Sequence, residues 1–439
     1  MKRILSLALA ACFSGPVCSA DLLQVYTDAL ANDPQFAAAR AQLTATEERV
    51  PQARAGLLPS LTASANTNWN DSDLRLSNGS PTISRQYNSN GYSINLSQPV
   101  FRVQNWVQFD QAKLQYAQGL AQFEQARQDL IVRAAQAYFD VKVAEEALAA
   151  AQAQKAATSE QLAQAKRNFE VGTSTIVDTH EAQARFDLVT AQEIAAQSDL
   201  DVKRQFLVQL TGKDQGALKG LKGQASLERP APEDINQWAS AAEKGSPQVK
   251  AQEAALESAS REIDRARAGH YPTLDLVASY GKNVQHYNFA SGLGTDTRSG
   301  VVGLQLAVPL YQGGAVNARQ REVVALREKA RSELENARRT AAQSARQSYL
   351  GVLNGVAQVK ALEAGLISSQ SALDSNKLGY EVGVRINIDV LNAQQQLYGT
   401  RRDLAKARYD TLLAQLRLKA ATGSLTEQDV KQINALLEP

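Results

Sequence analysis

Cysteine is nearly absent. Of 439 residues only Cys12 and Cys18 are cysteines, and both lie in the first twenty. With that segment removed no thiol remains, which excludes disulfides and thiolate metal sites from the rest. Histidine is scarce too, at His180, His270 and His286. "HEAQA" at 180–184 lacks the second histidine of a zinc-protease helix, and His180, close to Asp178, reads as a solvated polar residue. "GLGTDT" at 292–297 lacks the third glycine of a dinucleotide fingerprint, and no phosphate-binding loop ending in Gly-Lys-Ser/Thr occurs. The sequence therefore predicts no enzyme, no cofactor and no bound metal. An excess of positive charge is missing as well. Lys2 and Arg3 are the only charged residues in the first twenty, and the 47 basic residues less these two equal the 45 acidic ones. That balance argues against nucleic acid as a partner.

The first twenty residues read as an export signal. Lys2 and Arg3 precede the apolar run "ILSLALAACF", and "CSA" at 18–20 offers small residues before a cut ahead of Asp21. A second reading takes "LAAC" at 9–12 as a lipoprotein site that would acylate Cys12. No later stretch holds the roughly 20 consecutive apolar residues of a spanning helix, so a membrane crossing would need strands.

Proline is also missing over long distances. None occurs between Pro99 and Pro230, or between Pro309 and Pro439. Both intervals are rich in Ala, Gln, Leu, Glu, Lys and Arg, which favour helix. Each is interrupted near one Val-Gly pair, Val171-Gly172 or Val382-Gly383. The pattern predicts a helix of about 65–70 residues before each break and one of about 35–40 after it, the longer reaching roughly 100 Å at 1.5 Å per residue. Phe109, Tyr116, Phe123, Leu130, Ala137, Ala144 and Ala151 recur at steps of seven, a coiled-coil-like seam grading from large to small residues.

What the chain does have is an internal tandem repeat. "FEVGTSTIVDTHEAQ" (169–183) nearly matches "YEVGVRINIDVLNAQ" (380–394), with Gly172 and Gly383 211 residues apart, as are Asp178 and Asp389. "QARAGLLPSL" (52–61) matches "RARAGHYPTL" (265–274) at nearly the same offset. Two long copies argue for two halves of one architecture. Each half also holds a stretch rich in Ser, Thr, Asn, Gly and aromatics, 59–101 and 272–312. "SLTASANTNW" (60–69), "YSINLSQPVF" (92–101), "TLDLVASY" (273–280) and "GVVGLQLAVPLY" (300–311) alternate apolar and polar residues, the period of a half-buried strand. This predicts two hairpins, four strands in all. Four strands cannot close a membrane barrel, so the hairpins are either soluble decoration or are pooled among protomers. Residues 213–245 hold glycines, Pro230 and Pro232, and read as a linker between repeats 21–212 and 246–423, with 424–439 a tail.

"DLLQVYTDALANDPQF" after a signal, "LLPSL", "QPVF", "FEVGTSTIVDTHEAQARFD", "GHYPTLDL", "PLYQGGAVNARQ" and "YEVGVRINIDVLNAQQQLY" run in order through both repeats. In these the chain resembles the TolC family of outer membrane efflux proteins. The resemblance implies an α+β membrane protein: a homotrimeric tube, with a twelve-stranded outer membrane barrel continued by a periplasmic α-helical barrel. Residues 213–245 and the tail would form an equatorial collar. The implied function is export of secreted proteins, drugs and other small toxic molecules from the periplasm to the exterior. The implied partners are outer membrane lipid, an inner-membrane transporter of ABC, RND or MFS type, and a periplasmic adaptor. A component dedicated to one efflux pump, for metal ions or as a lipoprotein, would share every motif. A soluble periplasmic coiled-coil scaffold would leave the hairpins unexplained.

The resemblance also assigns roles. The glycines Gly172 and Gly383 would turn the long helices into the short ones at the periplasmic tip, where a tight reversal favours positive φ. Asp178, Tyr380 and Arg385 match a network that holds the entrance shut. Asp389 matches the first acid of a narrow constriction ring, and the second acid falls at Asn392, a departure that leaves one carboxylate per protomer and a weaker cation site. Asn392→Asp would on this reading restore the second ring.

Overall fold

The computed structural model describes residues 19–438 apart from 78, 80, 224–226 and 290. Residues 1–18 of the expected export segment, with Cys12 and Cys18, lie outside the described residues.

Both repeats follow one order. Helix α1 (Leu22–Asn32) starts where the Asp21 carboxylate accepts the Gln24 amide at 2.8 Å, an N-cap. Then come α2 (Pro34–Glu47), α3 (Arg49–Ala55), strands β1 (Ser60–Leu74) and β2 (Ile83–Phe101), and helices α4 (Val103–Glu170) and α5 (Ile176–Thr211). After α6 (Ile235–Gly245) the second copy runs α7 (Pro247–Arg267), β3 (Thr273–Gln285), β4 (Thr295–Ala307), α8 (Ala315–Glu381) and α9 (Asn387–Ala421), closed by α10 (Glu427–Asn434). The last hairpin strand stops at Ala307, short of the alternation read to Tyr311, because Pro309 cannot donate to a ladder. Within 213–245 the structure has α6 and two isolated bridges, Ala20–Leu218 and Leu221–Leu437.

The chain forms two compact units, each drawing on both repeats. One comprises residues 41–121 and 251–336 and holds the sheet, an antiparallel meander in the order β1-β2-β3-β4. Its register separates two faces. On one face lie Leu61 and Ala63 of β1, Ile94 and Leu96 of β2, Ala278 and Tyr280 of β3, and Val302 and Leu304 of β4. The other carries Ser64 and Ser93, whose hydroxyls meet at 2.9 Å, together with Asn66, Gly281, Thr297 and Ser299. The apolar face is uncovered: Leu61 is 71% and Val302 77% exposed. A stable contiguous apolar face of this kind belongs against lipid or protein. Both edges, β1 and β4, remain open in the protomer.

The other unit comprises residues up to 40, 122–250 and 337–439. Its core joins Leu130, Ile131, Tyr138 and Phe139 of α4 to Leu22 and Val25 of α1 and to Leu412 and Leu416 of α9. The seven-step seam is present but widened. Leu130 and Ala144 are buried, and so are Ile131, Ala135, Phe139 and Val141, because helices approach α4 from several sides here. Asp33, 4% exposed, ties this core together. Burial alone would raise its pKa. The Arg133 guanidinium, 2.6 Å away, and the amides of Phe36 and Gln35 reverse that and hold it below the ordinary carboxylate range. Helix α8 contains an 18-residue window of mean hydropathy 1.2, at the margin for a spanning helix. Only 17% of that window is buried; Val352 and Val356 of α8 pack against Leu418 of α9, and Val359 against Leu404 and Ala407.

Candidate functional site

The repeated phrase builds the two turns that join long and short helices. α4 ends at Glu170 and α5 begins at Ile176, and α8 ends at Glu381 and α9 begins at Asn387. Gly172 and Gly383 take φ of +80° and +81°, left-handed values that a side chain at Cβ disfavours. Up to this point the turns are copies. Beyond it five positions differ before the aspartate, and three of the substitutions set the partners described next: Ser174 against Arg385, Thr175 against Ile386, and Ile176 against Asn387.

In the first turn Thr175 and Asp178 form a reciprocal capping box. One carboxylate oxygen, Asp178 Oδ2, accepts from Ser174 Oγ at 2.7 Å, Thr175 Oγ1 at 2.9 Å and Thr175 N at 3.1 Å. The Ser174 hydroxyl, with the amide and hydroxyl of Thr175, holds this carboxyl below its ordinary pKa. Isoleucine at 386 cannot cap, so α9 has no side-chain cap. Asp389 is thereby released from the capping role and faces Arg385 Nη1 at 3.6 Å. Two aspartates in equivalent positions thus have different partners.

The cap makes a prediction about acid. A depressed folded pKa means its stabilisation is present above the unfolded value near 4 and is lost as pH falls through the folded value. Asp178→Ala should remove about 1 kcal/mol from this helix end. Hydrogen exchange at neutral pH should then quicken about fivefold in the first turn of α5 and not in that of α9. The parent should lose the same protection on acidification, and the variant should show no further loss. Equal exchange in the two proteins at neutral pH would reject the cap.

Polar links join the two helical hairpins. Asn168 Nδ2 donates to Tyr380 Oη at 3.1 Å. Gln161 Nε2 donates to Asn387 Oδ1 at 2.6 Å, and Asn387 Nδ2 reaches the Asp178 carbonyl at 3.4 Å. Arg185 of α5 bridges to α9, with Nη1 on Gln395 Oε1 at 2.6 Å and Nη2 on Asn392 Oδ1 at 3.0 Å. Leu162, Ala165, Ala182 and Leu391 pack beneath these links. Within the protomer, then, Tyr380 meets Asn168, Arg385 meets Asp389, and Asp178 meets its own turn; the three expected gate residues are not bonded to one another. Asp178 Oδ1 carries no hydrogen bond among the described residues, and Arg385 is 59% exposed at its side chain.

Sequence reasoning missed Asn168, Gln161, Arg185 and Asn387. Asn387 left a signal: a polar residue stands where the first repeat has Ile176, and it is 1% exposed. In the sequence Asn392 stands for a lost acid. The structure gives it a positive use, as acceptor for Arg185.

Two matches to the outer membrane efflux protein family model cover residues 25–213 and 238–424, one for each repeat. The chain belongs to that family. It is 33% identical to the outer membrane protein TolC of Vibrio cholerae over 443 residues, covering 100% of this chain and 99% of the relative. Identity to the proteases secretion protein PrtF of Dickeya chrysanthemi is 32%, over 99% of this chain and 95% of that one. Among solved structures, the CmeC outer membrane channel of Campylobacter jejuni superposes with a TM-score of 0.80 at 16% identity, over 95% of this chain and 90% of that chain. VceC of Vibrio cholerae gives 0.75 at 19%, over 92% and 96%. The sequence resemblance to this family is thus confirmed over the full length. The protein is an outer membrane export channel that extends into the periplasm, and the uncovered apolar face of its sheet has a solvent in lipid.

Proposed function

We propose that three copies pool their sheets into one twelve-stranded barrel, and that the helices continue it as a periplasmic tube. The observation that carries this is the sheet itself. Four strands with one apolar face, one polar face and two open edges cannot stand alone in lipid, where every backbone group must be paired. Three sheets close the circle with the polar faces lining water. The purified protein should therefore be a trimer that stays soluble only in detergent. A monomer soluble without detergent would overturn the pooled barrel.

In this reading the channel exports secreted proteins, drugs and other small toxic molecules once an inner-membrane pump and a periplasmic adaptor dock, and it has no catalytic role. Residues 213–245 and 424–439 form the collar around the helices. The helix turns at Gly172 and Gly383 lie at the periplasmic entrance. Asn168–Tyr380, Gln161–Asn387 and Arg185–Asn392 hold the two hairpins of each protomer together. Arg385 reaches Asp178 Oδ1 of a neighbouring subunit, completing the gate formed by Asp178, Tyr380 and Arg385. Asp389 and Asn392 line the constriction. Such polar links can break and re-form without unfolding a helix, since the apolar packing beneath them is separate.

A further inference from the structure

On the apolar face of the sheet the hydrophobic rows are interrupted by charge, with Val284 and Trp69 beyond it. The row of Ile94, Tyr280 and Gly300 is followed by Tyr92, Lys282 and Arg298. Lys282 and Arg298 are directly opposite each other on neighbouring strands, an arrangement of like charges that is destabilising by itself. Lys282 Nζ has one counter-ion, Asp296, at 2.9 Å. Arg298, on the edge strand β4, is exposed and has no acceptor among the described residues of the single protomer. Within the sheet of one protomer, Asp71 and Asp73, the other carboxylates of this face on β1, start six residues beyond Ala65, which shares the Lys282 row; that is about 20 Å along the strand.

The height of the pair follows from the register. From Leu274 and Leu306 to Lys282 and Arg298 is eight residues, about 27 Å along the strands and roughly 20 Å across a bilayer at ordinary barrel tilt. That matches an apolar band of about 25 Å, so the pair stands at its rim. The rim is the one beside the hairpin turns, because β1 and β3 start next to the helices. With the helices in the periplasm, this rim faces the external leaflet. Tyr92 in the row of the pair and Tyr280 in the row before it provide aromatic residues near this level, as expected at a membrane interface.

We propose that Lys282 and Arg298 form a binding site for the phosphate groups of the phosphorylated glycolipid in the outer leaflet. A guanidinium offers a fork of donors to phosphate and the ammonium adds a point charge, so the anion offsets the repulsion that Asp296 leaves uncompensated. Tyr92 and Tyr280 would flank the sugar–acyl junction. The site rests on the reading that the sheet spans the outer membrane, and the test separates the two.

The experiment uses the detergent-solubilised trimer and native mass spectrometry with bisphosphorylated lipid A, its dephosphorylated form, or inorganic phosphate as probe. Bisphosphorylated lipid A should bind about tenfold more tightly to the parent than to the Lys282→Gln, Arg298→Gln double variant. Dephosphorylated lipid A should bind both alike, and millimolar phosphate should not displace the lipid. Asp296→Asn removes the competing carboxylate and should tighten binding, which keeps the test informative if the double variant fails to assemble. Equal binding of the two lipids to the parent, or no change in Asp296→Asn, would overturn the site. Bilayer insertion of the same proteins, read as channel conductance, reports on the barrel independently.

Discussion

A protein carrying Arg185→Ala with Asn387→Ala is expected to pass severalfold more current per channel than the parent in planar bilayers. Of the five hydrogen bonds named between the hairpins, this removes four and leaves Asn168–Tyr380. The Arg185 bonds involve a charged donor, and loss of Asn387 strands Gln161, which is 7% exposed. Together they stabilise this pairing of the hairpins by on the order of 2–4 kcal/mol. If an open and a closed entrance exchange, that changes their ratio by roughly thirtyfold to a thousandfold. Helix content should not change, because Leu162, Ala165, Ala182 and Leu391 still pack. Arg385→Ser with Tyr380→Phe is the comparison. It removes the Arg385–Asp389 pair and the Tyr380 hydroxyl, and it should also raise conductance. If both double variants conduct like the parent, these residues are surface polar groups and the entrance is held elsewhere.

Block by a trivalent cation applied from the periplasmic side should fall to near zero in Asp389→Ala. If Asp389 lines the proposed constriction, three carboxylates would converge on a narrow, low-dielectric passage and attract multivalent cations, more so at low salt. The expectation for Asn392→Asp changes with the structure. A carboxylate there would lie 3.0 Å from Arg185 Nη2 and pair with it, and so add little to the ring. Asn392→Asp alone should therefore block about as weakly as the parent, and Asn392→Asp with Arg185→Ala should block severalfold more strongly. One titration of blocker against current for the four proteins reads all of this. Strong block by Asn392→Asp alone would show that Arg185 does not hold that position, and unchanged block in Asp389→Ala would move the constriction elsewhere.

Much of the site was legible in the repeat. The two Val-Gly breaks located both turns, because a glycine inside a proline-free helical run has few other uses. Alternation in 60–69, 92–101 and 273–280 located three strands, since one side of each faces an apolar medium. The heptad through Leu130 and Ala144 marked the buried side of α4. Partners were not legible. Asn168 and Tyr380 are 212 positions apart, and Arg185 and Asn392 are 207 apart. Nothing local says that these side chains meet.

The sequence by itself determined the elements: long helices from the absence of proline, their ends from Gly172 and Gly383, strands from period-two alternation, and the doubling of all of these from the repeat. Each is set by backbone and short-range chemistry, which neighbouring residues carry. Only the tertiary structure decided which residues face each other. It gave Asp178 to its own helix cap and Asp389 to Arg385, though the two positions are equivalent in the repeat. The cause is the exchange of Thr175 for Ile386, which acts only through a three-residue hydrogen-bond geometry. It also turned Asn392 from a missing charge into the acceptor of Arg185, because α5 and α9 pack side by side and bring a guanidinium to within hydrogen-bond reach.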